Sequence, residues 1–298
     1  MKLMVYVLFL IDKILFLIAY ICSMQILKRL FNFYIFSNIH VAVGAFCFVK
    51  ITVLSYGIVE NKTALFVFFS TILSYNFIRF MDLPLRETFF GNWFYTNKIP
   101  LILISILSSV FSLYLLIEFE LIALIVLAPF VVLTFFYGMK LPKKAISLRR
   151  IPGLKIFVIA FCFAGITVLF PLVQNEVAIS LEIIPLFVQR LLFVILITLP
   201  FDIRDINYDS KALKTIPQLF GVRVAKILGA ILFFVILILA FYNYTEKSIE
   251  FYIITLMSLL ATSLLLFAKQ NQPKYYSSFW VEALPIVWYI IFVFSLKM

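Results

Sequence analysis

The chain has 298 residues, of which 65% are hydrophobic and 13% charged, and its mean hydropathy is +1.14. An ordinary soluble domain carries about a quarter charged residues, so this composition excludes a soluble globular protein and fits an integral membrane protein. The net charge of +11, from 25 basic and 14 acidic residues, has to be set against loop placement before any nucleic-acid partner is invoked.

In chain order, apolar runs fall at about residues 4–23, 32–57, 63–81, 99–117, 120–138, 154–173, 181–200, 223–243, 249–268 and 279–296. Each is close to the ~20 residues that a helix needs to cross the hydrocarbon core, and none alternates as a membrane barrel strand does. The predicted fold class is therefore all-α, with nine transmembrane helices in one membrane domain over residues 24–298. The first run contains Asp12 and Lys13 and no clean small-residue cleavage site. Residues 1–23 are accordingly expected to be a dispensable extension, either a peripheral helix or an upstream mis-start, with Met24 as a natural start.

Basic residues collect in alternate connections, and the opposite loops carry little beyond Lys62 and Lys247. The positive-inside rule then places residues 79–98, 139–155, 201–226 and 269–278 in the cytoplasm and the C-terminus outside. Most of the net charge is thus a record of topology. Cys22, Cys47 and Cys162 are widely spaced within apolar runs and are read as small core residues, without zinc or disulfide spacing.

The stretch LPFDIRDINYDSKALKTIPQLFG, residues 199–221, interrupts this apolar pattern with Asp202, Asp205 and Asp209. On a helix these stand at i, i+3 and i+7, within about 60° of one another around the axis. Three carboxylates on one face repel, and a divalent cation relieves the repulsion; oxygen ligands without His or Cys favour Mg²⁺. Arg204, Lys211 and Lys214 would meet the charge of a phosphate-bearing ligand. The competing account is a solvated charged helix end. His40 is expected either to face a central cavity or to pair with a neighbouring helix. Lys50 and Arg190, inside apolar runs, either serve a functional interior or snorkel.

The aspartate segment resembles the second aspartate-rich motif of the UbiA superfamily of intramembrane prenyltransferases. Thr215, Pro217 and Gly221 resemble the TxPxxxG continuation of that motif, and YGMKLPKKAISLRRIPGLKIF, residues 137–157, resembles the family's Tyr- and Lys-rich connection after helix four. The first motif departs from the pattern NDxxDxxxD: in YNFIRFMDLP, Asn76 matches, whereas Phe77, Phe80 and Pro84 occupy the aspartate positions, Asp82 is out of register and Arg79 adds a positive charge.

The resemblance implies nine helices and Mg²⁺-dependent transfer of a prenyl group from a polyprenyl diphosphate donor to a hydrophobic, aromatic or lipid-like acceptor. Asp202, Asp205 and Asp209 would be metal-binding and catalytic, Arg79 catalytic, and Asn76, Lys140, Arg204 and Lys214 substrate-binding. The protein would reside in the plasma (inner) membrane with its site facing the cytoplasm, in contact with membrane lipid and with neither nucleic acid nor an evident protein partner. Two alternatives stand beside this one: a non-catalytic or altered-chemistry descendant that binds or moves a polyprenyl phosphate, and a small-solute transporter.

Overall fold

A computed structural model describes residues 24–81, 88–139, 151, 153–208, 213–244 and 248–297. The expected extension over residues 1–23 lies outside the described residues. The remainder is helical: α1 (24–36), α2 (Ile39–Ser55), α3 (Lys62–Met81), α4 (Phe89–Thr96), α5 (Lys98–Leu116), α6 (Leu121–Gly138), α7 (Leu154–Ala164), α8 (Phe170–Gln174), α9 (Ile183–Arg204), α10 (Ile216–Asn243), α11 (Ile249–Phe267) and α12 (Leu284–Ser295). Among the described residues, eight helical segments are long and apolar enough to span a bilayer, and nine if the bent pair α1 and α2 counts as one. The protein is a multi-pass membrane protein with an all-α fold.

The run expected as one helix over residues 32–57 is broken by 55° between α1 and α2. Asn38 sits at the break in the left-handed region, φ 70°, a conformation its short polar side chain tolerates better than most. Arg79 holds the break from α3. Its guanidinium donates to the Phe36 carbonyl and, at 2.8 Å, to Asn38 Oδ1, and it lies 4.5 Å from the centre of the Phe90 ring. Arg79→Met removes both charge-assisted hydrogen bonds, each worth about 1.5–3 kcal/mol, and Arg79→Lys cannot restore the planar two-acceptor geometry. Both variants are expected to unfold earlier in detergent, with Met the worse by denaturation midpoint.

A second irregularity has a proline as its cause. The span over residues 154–174 passes through a π turn, Gly165–Leu169, before α8. Pro171 has no N–H to donate back along the helix, so the ladder slips by one residue there. Gly165 also lies against Phe130 of α6: a Cβ added at this position would stand 2.1 Å from ring atoms. Gly165→Ala is therefore expected to cost about 1–3 kcal/mol through forced repacking, checked by chemical denaturation.

Neighbouring spans pack in sequence, α2 on α3, α6 on α7, α7 on α9 and α9 on α10, and α12 returns against α2 to close the bundle. The main core cluster joins α2, α7, α9, α10, α11 and α12. Within it Arg190 of α9 is 3% exposed, yet among the described residues no carboxylate pairs with it. Its guanidinium lies over the ring of Phe48, 4.1 Å away, with Trp288 beside it at 5.4 Å, and donates to the Phe48 carbonyl and Thr52 Oγ1 at 3.2 and 3.4 Å. Aromatic faces and backbone oxygen thus hold a charge that water does not reach. Lys50, on the same part of α2, ties that helix to the start of α3, donating to the Glu60 carbonyl and, at 2.9 Å, to Asn61 Oδ1. Cys47 and Cys162 are buried free thiols, as read from the sequence.

Candidate functional site

The aspartate segment does not continue as one α-helix. α9 ends at Arg204, and Asp205–Asn207 form a 3₁₀ turn. The sequence DINYDS offers the backbone side-chain hydrogen bonds in non-helical conformations, which is why such residues end helices. Asp209, and with it the i+7 position, lies outside the described residues, as do Lys140 and Lys211.

Asp202, on the last turn of α9, is 1% exposed and pairs with Lys155 of α7, Oδ1 to Nζ 2.9 Å; the Lys155 side chain is 16% exposed. Asp205 is half-buried and takes a two-point contact from its neighbour Arg204, Nε to Oδ1 at 2.7 Å and Nη2 to Oδ2 at 2.9 Å. The third corner of that guanidinium, Nη1, donates to Ser278 Oγ of the final span at 2.9 Å. Each described aspartate therefore faces a base of the chain itself. Among the described residues, no three His, Cys, Asp or Glu side chains converge closely enough to hold a metal ion.

Asp202 and Asp205 both open onto a cavity of about 220 Å³ at the centre of the bundle. Its polar wall also includes Lys155, Tyr75, Thr198 and Glu282, and its apolar wall Phe48, Ile159, Phe163 and Phe201. Glu282 belongs to the last span, and among the described residues its carboxylate makes no hydrogen bond or ion pair; Arg204 and Arg79 lie close enough to act on its charge. Lys155, Tyr75 and Glu282 were not among the residues singled out from the sequence. For Glu282 the signal was present, an acid at the head of an apolar run.

The other sequence candidates lie around this cavity rather than in it. Asn76 of α3 is fully buried; it accepts from Asn38 Nδ2 at 2.7 Å, and its own Nδ2 has no partner among the described residues. Arg79 is committed to the α1/α2 break, as described above. Lys214 is exposed, with φ +44°, two residues before α10. That helix opens with a capping box of Thr215 and Gln218, and Gln218 Nε2 reaches back to the Ile206 carbonyl at 3.3 Å, so the TxP segment ties the aspartate turn to α10.

His40 pairs with neighbouring groups. Nε2 donates to the Phe279 carbonyl at 3.0 Å, and Nδ1 accepts from the Tyr34 hydroxyl at 2.8 Å, an assignment fixed by a carbonyl being able only to accept. The ring also stacks on Phe279, 5.0 Å between centroids. Positions 77 and 80, where the first motif would carry aspartates, are part of aromatic packing: Phe77 stacks on Phe135 at 5.7 Å and Phe80 lies 5.3 Å from Phe94. Neither ring lines the cavity.

No protein-family model and no curated protein matches the chain. Its structure is similar to the apo structure of a UbiA homolog from Aeropyrum pernix K1, with a TM-score of 0.62 at 15% sequence identity, over 88% of this chain and 97% of that one. The fold of the chain is that of the UbiA homolog. In this arrangement the aspartate turn ends the sixth span and Asn76 lies near the end of the second.

Proposed function

We propose that the protein is an intramembrane prenyltransferase of the UbiA type, which moves a prenyl group from a polyprenyl diphosphate to an aromatic or lipid-like acceptor. The observation that supports this reading best is the cavity, in which a charged floor of Asp202, Asp205, Lys155 and Glu282 meets an aromatic and aliphatic wall. A diphosphate on a hydrocarbon tail has the same division. At about 220 Å³ the cavity is smaller than the ~300–1,000 Å³ typical of ligand pockets, so it suits the diphosphate end and the first isoprene units, with the remaining tail between helices or in lipid. By the positive-inside rule the site faces the cytoplasm from the inner membrane.

Mg²⁺ enters this reading through the donor set. Asp202, Asp205 and Asp209 offer the hard carboxylate oxygens it prefers, and when bound it would neutralise diphosphate charge. The chain's own groups do the rest. Lys155 and Arg204, released from their carboxylates, meet phosphate oxygens, and the unspent amide N–H of Asn76 is a further donor nearby. The allylic C–O bond breaks with its electron pair leaving on diphosphate. Phe48, Phe163 and Phe201 shelter the allylic cation from water and present π-faces to it. The acceptor forms the new bond and loses a proton, for which Glu282 is the cavity carboxylate not engaged by a base.

A second reading, a descendant that binds or moves a polyprenyl phosphate without transfer, is favoured by the rings at positions 77 and 80 and by the base-paired aspartates. Release of diphosphate from labelled geranylgeranyl diphosphate, assayed across a panel of hydrophobic acceptors, separates the two. Release that depends on an acceptor supports transfer; binding without release supports the carrier.

A further inference from the structure

The central cavity has a counterpart on the outer surface of the bundle. Between α10 and α11, at the end that carries the basic loops, a groove of about 390 Å³ is lined by Val222, Arg223, Lys226, Ile227, Ala230 and Leu266. None of these residues lines the central cavity. Among the described residues the groove is apolar except for its two bases, and no acidic side chain lines it.

Arg223 and Lys226 are three residues apart on α10 and so share a face. Lys226 Nζ reaches across and donates to the Leu266 carbonyl at the end of α11, 2.6 Å. That bond holds the ammonium over the groove, and among the described residues its other two N–H donors and its charge have no partner. Arg223 is exposed. Around and below the bases the surface is hydrocarbon: Ile227, Ile231, Leu266 and Phe267 are each at least half exposed. A phosphate-sized positive corner thus opens directly into an apolar channel that runs along the helices, the shape and charge of one lipid molecule at the edge of a bilayer.

We infer that this groove seats an anionic phospholipid of the leaflet on the side of the basic loops. Its phosphate lies against Arg223 and Lys226, and an acyl chain follows Ile227, Ala230 and Leu266. Soluble phosphate lacks the apolar half of the ligand. A zwitterionic lipid such as phosphatidylcholine brings a cationic ammonium that the two bases repel. The site lies just past the kink of α10 at Gly221 and is independent of the prenyltransferase reading.

The test uses the full chain, delipidated in detergent, with tail-labelled phosphatidylglycerol and phosphatidylcholine of the same acyl composition. A base near a charged membrane surface contributes about fivefold to binding. Wild type is expected to prefer phosphatidylglycerol by about tenfold or more, and R223Q/K226Q to bind it about thirtyfold more weakly, with no preference between the lipids. Ala230→Trp, which fills the apolar half and leaves both charges, is expected to weaken both lipids and keeps the test alive if the double variant does not fold. Millimolar glycerol 3-phosphate is expected not to displace the lipid. Equal binding of the two lipids by wild type, unchanged phosphatidylglycerol binding in the variants, or full displacement by glycerol 3-phosphate would each overturn the assignment.

Discussion

Asp202→Asn is expected to destabilise the folded protein by about 3 kcal/mol, and Lys155→Met in the same chain to recover most of that loss. The pair is 2.9 Å long and nearly dry, with Asp202 1% and Lys155 16% exposed. Removing one member of a buried pair leaves the other charge desolvated, at a cost of about 3–5 kcal/mol, whereas removing both is often close to neutral. Residual water at Lys155 sets the expectation at the low end. Denaturant titration of the wild type, both single variants and the double variant closes a thermodynamic cycle. Additive losses would mean that the two side chains do not act as a pair. The same cycle run with ligand measures whether Asp202 is held in reserve for a metal or spent on Lys155.

Asp205→Ala is expected to have the opposite profile. Its carboxylate is half-buried and bonded to the adjacent Arg204, so it contributes less than about 1 kcal/mol to folding, as partly exposed pairs do. Under the proposed function, however, it is one of the carboxylates on which donor binding depends. Losing one charge-assisted contact of about 1.5–3 kcal/mol weakens binding roughly 10- to 150-fold. An unchanged denaturation midpoint together with a collapsed affinity for geranylgeranyl diphosphate is the expected result. Loss of stability in step with affinity would make Asp205 a structural residue.

The division between these two aspartates shows what the sequence carried and what it did not. Most span lengths, the alternation of basic loops and the placing of Asp202 and Asp205 at the end of the sixth span were legible, because each depends on local composition. Why the segment leaves the α-helix at Arg204 was also written locally, in the DINYDS run. The partners were not. Lys155 lies 47 residues before Asp202 and reads as one more topogenic charge; only the packing of α7 on α9 brings the two together. Arg79 was read as a catalytic cation beside the altered first motif, but its acceptors, Phe36 and Asn38, come within its reach where the first span bends. Arg190 was read as either functional or snorkelling, whereas it is held by Phe48 and Trp288 from two other spans. Glu282 could have been found from the rule that an ionisable residue in an apolar run has a reason to be there.

The measurement that bears most directly on the proposed site is a binding titration of geranylgeranyl diphosphate to the wild-type protein in nanodiscs, with Mg²⁺ and again with EDTA. The account predicts saturable binding that needs the metal and is lost in Asp205→Ala. Binding of equal affinity in EDTA, or binding that Asp205→Ala leaves intact, would contradict it: the diphosphate would then be held by Lys155 and Arg204 alone, and the aspartates would serve only to balance those bases.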